Sequence, residues 1–209
     1  MILNNGGIIM KENKGRIILV VLICLFLLGG LSSANKQKMS DYAEYKCDVK
    51  SLRMSTTIDI DKDNEEFVKV KGNIFTIITD PLKMYDLNEN QISYADDTYH
   101  FISQDSHSIF VNGNLSAEMV GLVKLFGEEY EVYNENGEKV ANVTFNMFNT
   151  NGNMYDMEEN LIADFNSKFL FNDFDVRITK DCNLDEKTVL MIFCSYYSDQ
   201  KADSSRSKK

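Results

Sequence analysis

The sequence predicts a mainly β fold, a closed antiparallel barrel around a central hydrophobic C-terminal α-helix, preceded by an N-terminal hydrophobic helix. Three observations predict it. From Met54 onward, β-branched and aromatic residues come in short runs, broken by Asn, Asp and Gly turns every ten residues or so. One hairpin pattern occurs three times. An apolar run near the C-terminus, Thr188 to Tyr197, has no polar stripe of helical period.

The chain begins with an address. Lys11, Lys14 and Arg16 precede the unbroken apolar run Ile17 to Leu28, continued by Gly29, Gly30 and Leu31. This is the basic n-region and apolar h-region of an export signal. Ser32-Ser33-Ala34 offers the small residues a signal peptidase reads, so one expectation is a secreted domain cleaved after Ala34. The other is an uncleaved anchor, because residues 17–34 just reach the about 17–25 residues of a spanning helix. Basic charge on the N-terminal side keeps that side in the cytoplasm. The domain is then extracytoplasmic, on a single-pass cell-membrane tether. Gly6-Gly7 ahead of Met10 suggests Met10 as the true start, with 1–16 a leader plus basic n-region. Residues 35–53 are polar, lack strong periodicity and read as a linker.

Charge is unevenly spread. Residues 54–199 hold 10 Lys and Arg against 27 Asp and Glu, whereas the rest of the chain holds 12 against 5. Polyphosphates are bound mainly by neutralising their charge, so nucleic acid is not an expected partner. One Pro, no Trp and many Asn, Lys and Ile suit an AT-rich bacterial genome, and 13 Phe with 10 Tyr suffice for a packed interior. Cys24, Cys47, Cys182 and Cys194 match no zinc or CxxC spacing. Free thiols acting as small hydrophobes are the favoured reading, and Cys47 with Cys182 is the pair open to bridging if the domain is exported.

Along the body, Phe67 to Lys71 alternates strictly before Gly72, and Asn73 to Ile78 reads as another strand. Glu129 to Tyr133 and Glu138 to Phe148 flank the turn Asn134-Glu135-Asn136-Gly137. Phe169 to Ile178 is a longer strand. The repeat aligns Met84 to Ser93 with Met154 to Ala163 and with Val132 to Ala141. Each is a strand end, an acidic or amide turn and a returning strand, with turn residues that tolerate αL and bond their own backbone. Near the C-terminus, Asn183 reads as a helix N-cap with Glu186 at the capping-box position. The run 188–197 behind it is too short and too acid-flanked to span a bilayer, so as a helix it must be enclosed by sheet. The rival reading is one more buried strand, which periodicity alone does not separate from a helix, and the capping signature favours the helix. The domain is expected over 54–199, with 200–209 a disordered basic tail.

A succession of such hairpins closed by an apolar C-terminal helix resembles the LURP-one-related family, part of the tubby C-terminal-like group that includes the phospholipid scramblases. The resemblance rests on Met84 to Ser93, Val132 to Val143, Met154 to Asp164, Phe174 to Ile178 and Thr188 to Tyr197. It implies a barrel of about a dozen strands around a central hydrophobic helix. The tubby branch implies phosphoinositide binding through basic residues, but Lys69, Lys71 and Lys124 stand scattered among acids. The scramblase branch implies calcium and lipid. The LURP-one-related branch implies no particular biochemical activity.

Candidate chemistry is sparse. Asp59, Asp61 and Asp63 open like a calcium loop, but Asn64 stands where Gly belongs and Val70 where a bidentate Glu is required. Glu128-Glu129 and Glu158-Glu159 read as surface charge. His100 and His107 lack a metal-ligand spacing, and Ser103, Ser106 and Ser108 beside them leave a Ser/His site as a minor option. Gly113, Gly121 and Gly127 form no phosphate loop. No catalytic, cofactor or metal residue is assigned. The expected function is a non-enzymatic binding or scaffold module, membrane-anchored or secreted, that meets the membrane through its N-terminal segment and an unidentified protein or lipid through its body. The alternative is lipid binding or scramblase-like lipid handling at the membrane surface.

Overall fold

The computed structural model describes residues 41–52, 55–72, 81–98, 104–122, 127–146, 150–167 and 173–206. The leader, the apolar run 17–34, Cys24, His100, Ser103 and the expected strand 73–78 lie outside the described residues. Twelve strands form one closed antiparallel barrel. They are β1 (Tyr42–Leu52), β2 (Ser55–Lys62), β3 (Glu65–Gly72), β4 (Leu82–Tyr85), β5 (Gln91–Thr98) and β6 (Gln104–Val111), then β7 (Asn114–Leu122), β8 (Glu128–Asn134), β9 (Lys139–Phe145), β10 (Asn151–Asp156), β11 (Leu161–Ser167) and β12 (Phe174–Thr179). Each pairs with its neighbours in sequence, and β1 closes the ring on β12 with Tyr42 opposite Thr179 and Cys47 opposite Phe174. Closure leaves no edge strand.

β1 corrects the linker expected over 35–53. Tyr45, Cys47 and Val49 point into the core while Glu44, Lys46, Asp48 and Lys50 face out, a period of two. A tyrosine and a cysteine among the inward positions make the apolar face inconspicuous. Pairing on both sides by β2 and β12 completes it.

The helix α1 (Glu186–Arg206) fills the barrel. Thr188 to Tyr197 are buried without a break, and ten consecutive residues show every side of a helix. A helix buried all round is one surrounded by protein. It lies closest to β5 and β6, where small residues such as Ser93 and Ala95 line the wall. Toward β11 and β12 the space is filled by rings: Phe165 stacks on Phe193 at 5.6 Å and Phe174 meets Tyr197 at 4.8 Å.

The helix ends depart from expectation. The N-cap is Asp185, whose Oδ1 accepts the Lys187 N–H at 2.8 Å, so Asn183 does not cap. Glu186 is drawn instead to the barrel wall. The helix also continues to Arg206, through much of the tail expected to be disordered from residue 200. Past the rim, Gln200 donates to Glu128 and Lys201 sits over the Tyr197 ring, contacts that extend helical order beyond the apolar run.

Candidate functional site

With an even number of antiparallel strands, alternate connections gather at the same end of the barrel. One end, here the turn end, holds the β2–β3, β4–β5, β6–β7, β8–β9 and β10–β11 hairpins and the start of α1. The other, the exit end, is where α1 leaves.

At the turn end the three repeated hairpins share one geometry. Asp86 Oδ1 accepts the N–H groups of Asn88 and Asn90, Asp156 Oδ1 those of Glu158 and Asn160, and Asn134 Oδ1 those of Asn136 and Glu138. Each side chain thereby satisfies two backbone donors of its own turn. The register slips at Met84/Tyr85, Val132/Tyr133 and Met154/Tyr155, and Glu89, Gly137 and Glu159 take positive φ at matching places. The sequence repeat is a repeat of bulged hairpins. Hydrogen bonds from Asn90, on its side chain first and then its backbone, hold the Asp86 carboxyl below its ordinary range. The β2–β3 and β6–β7 hairpins turn on Asp63-Asn64 and Asn112-Gly113, both pairs at positive φ.

Also at this end, Tyr45 and Lys62 each donate to Glu186 Oε2 at 2.6 Å. Burial works to raise the Glu186 carboxyl. The hydrogen bonds from Lys62 and Tyr45, with the Lys62 and Lys187 charges, outweigh it and hold the group below the usual range.

The exit end carries a second polar cluster against the helix. His107 on β6 is buried, and its Nε2 lies 2.7 Å from Asp199 Oδ2; an ionised carboxylate only accepts, so the imidazole donates. One residue along the helix, Gln200 Nε2 donates to Glu128 Oε1 at 2.8 Å, while Tyr130 OH donates to Glu128 Oε2 at 2.9 Å. Burial, then the adjacent Glu128 charge and hydrogen bond, push the Tyr130 phenol well above its ordinary range. Tyr196 is raised by burial, Glu128 and Asp199. Its buried hydroxyl meets no hydrogen-bond partner among the described residues. Both phenols stay protonated at neutral pH. What the arrangement does is hold: two consecutive helix residues are fastened to β6 and β8.

The other candidates disperse. Asp59 and Asp61 lie along the extended strand β2, where alternate residues stand about 6.6 Å apart, and Asp59 is 2.6 Å from Lys50 and 3.5 Å from Lys69. Such a strand does not wrap an ion as a calcium loop does. Among the described residues no group of three His, Cys, Asp or Glu is placed to hold a metal. Glu128 belongs to the exit cluster, whereas Glu158 and Glu159 sit in an exposed turn. Ser106 is buried on β6 beside His107, and the imidazole is directed to Asp199. Gly113 ends a hairpin, Gly121 lies within β7 and Gly127 precedes β8. Cys47, Cys182 and Cys194 are free thiols.

The pairing of His107 with Asp199 was missed because the residues are 92 positions apart and share no motif. A carboxylate two residues past the apolar run was the available signal. Among the described residues no helix is long and apolar enough to cross a membrane. No family model, curated protein or solved structure matches the chain.

Proposed function

We propose that this chain is a non-enzymatic binding or scaffold module of LURP-one-related type, membrane-anchored or secreted through its N-terminal apolar run. The observation that supports it is the filled barrel. Barrels that bind small ligands internally keep a lumen for them, whereas here Val189 to Tyr197 occupy that space with side chains at most 5 % exposed. A partner is therefore met on the outer wall or the rims. An acyl chain handled by such a protein would likewise have to lie outside the barrel, which favours the scaffold reading over lipid transfer. The net acidity of the body suits a partner with basic or neutral contacts over a polyphosphate.

Photo-crosslinking from exposed Glu118 and Glu138 in the full chain, expressed in cells, tests the reading. Discrete crosslinked adducts are expected from one or both positions, alongside no turnover in a panel of hydrolase and transferase substrates. A turnover abolished by His107→Asn would replace the scaffold with an enzyme.

A further inference from the structure

We infer that the turn end of the barrel rests on the bilayer surface and places Leu87 and Met157 in the lipid headgroup region. Among the described residues the exposed large hydrophobic side chains are Leu87, Met157 and Tyr42, at 63 %, 55 % and 39 % exposure. All three belong to one end. Leu87 and Met157 occupy the same position of two repeated hairpins, β4–β5 and β10–β11, directly after the turn-forming Asp86 and Asp156. Nothing in turn chemistry calls for an apolar residue there, and the third hairpin has Glu135.

Those two hairpins lie six strands apart in a ring of twelve, so the apolar tips stand on opposite sides of the rim. A protein partner held through apolar contacts would use a contiguous apolar patch. Separate apolar points above a polar rim suit a soft, laterally uniform surface instead. The covalent connection points the same way. β1 starts at Tyr42 on this end, and seven residues separate it from Ala34, the last residue of the apolar run. Even fully extended, that connection reaches at most roughly 30 Å. Two apolar side chains hold a free domain on a membrane only weakly. A short tether raises their effective concentration to about the millimolar range, where weak contacts become occupied. Asp63, Glu89, Glu135, Glu158 and Glu159 around the rim select zwitterionic over anionic headgroups. This inference rests on the membrane-anchored form of the function proposed above.

The natural chain contains no Trp, which supplies the test. Full-length Leu87→Trp, Met157→Trp and, at the exit end, Asn151→Trp are reconstituted into phosphatidylcholine vesicles with and without bromine in the acyl chains. Flotation is run on the same samples. The expected result is that all three chains float, that the indoles at 87 and 157 emit further to the blue and lose at least half their intensity in brominated lipid, and that the indole at 151 changes in neither respect. Chains that float without quenching at 87 and 157, or with equal quenching at 151, overturn the orientation while leaving the anchor intact. Chains that do not float overturn both. Self-association in detergent that Leu87→Ser with Met157→Ser abolishes would assign this end to a second copy and also overturn it.

Discussion

Phe145 on β9 and Tyr196 on α1 lie face to face, their ring planes 8° apart. The stack is hemmed in from the neighbouring strand, because Gly152 is directly opposite Phe145 and a Cβ there would run into the Phe145 ring. Gly152→Ala must therefore displace Phe145, and with it the ring that locks the helix. Overpacking of this kind costs about 1–3 kcal/mol. A urea denaturation midpoint lowered accordingly, with the slope unchanged, is the expected outcome; an unaltered midpoint would show that the stack is slack.

Tyr196 offers the opposite case. Its hydroxyl is buried without a partner among the described residues, and removing an unsatisfied polar group relieves its desolvation penalty. Tyr196→Phe keeps the stack and is expected to leave stability unchanged or raise it by about 1 kcal/mol. Thermal or urea unfolding reads this directly. A loss of stability would show that the hydroxyl is hydrogen-bonded.

How much of this was legible follows from the range of each interaction. The bulged hairpins were readable because Asp86, Asn134 and Asp156 act on residues two and four positions ahead. The enclosed helix was readable because ten residues without a polar face leave few physical solutions. β1 was not, since its inward face reads Tyr45, Cys47, Val49 and gains meaning only when β2 and β12 flank it. The N-cap shifted from Asn183 to Asp185 because Glu186 is held by Tyr45 and Lys62, far back in the chain. The exit cluster was invisible for the same reason, since the bonds from His107 to Asp199 and from Gln200 to Glu128 span distant segments.

At the exit end, His107→Ala and Gln200→Ala remove the two fastenings separately. The apolar run stays enclosed in either variant, so the effect is local. Amide hydrogen exchange over 198–206 should accelerate by about tenfold, the equivalent of about 1.4 kcal/mol of local opening, while 189–197 retain their protection. Uniform loss of protection along α1 would mean that the cluster supports the whole barrel.

The Glu186 contacts set a pH dependence. Its folded-state carboxyl titrates below the ordinary value of 4.5, so its contribution is present above that value and fades as pH falls through the lower folded one. Glu186 and Lys62 are each about a third exposed, at 32 % and 35 % of their side chains, and screening keeps the contribution below about 1 kcal/mol. Lys62→Met should flatten the acid limb of stability below pH 4.5 and lower the plateau slightly above it. Urea midpoints collected between pH 3 and 7 decide the matter, and a parallel downward shift at every pH would assign the loss to packing of Lys62 over Tyr45 and Phe67.

The thiols grade by burial. Desolvation pushes Cys47 well above its ordinary range and Cys194 up to about 12, and both side chains face the sealed interior between β1 and α1. Cys182, raised by burial but only partly covered, sits after β12 at the turn end. Alkylation proceeds through the thiolate and needs access. Brief treatment of the native chain with iodoacetamide should therefore label Cys182 ahead of Cys47 and Cys194, which react only once urea opens the barrel. Labelling of Cys194 at the rate of Cys182 under native conditions would mean that α1 leaves the lumen on the reagent's timescale, and a ligand could then enter the space the helix fills.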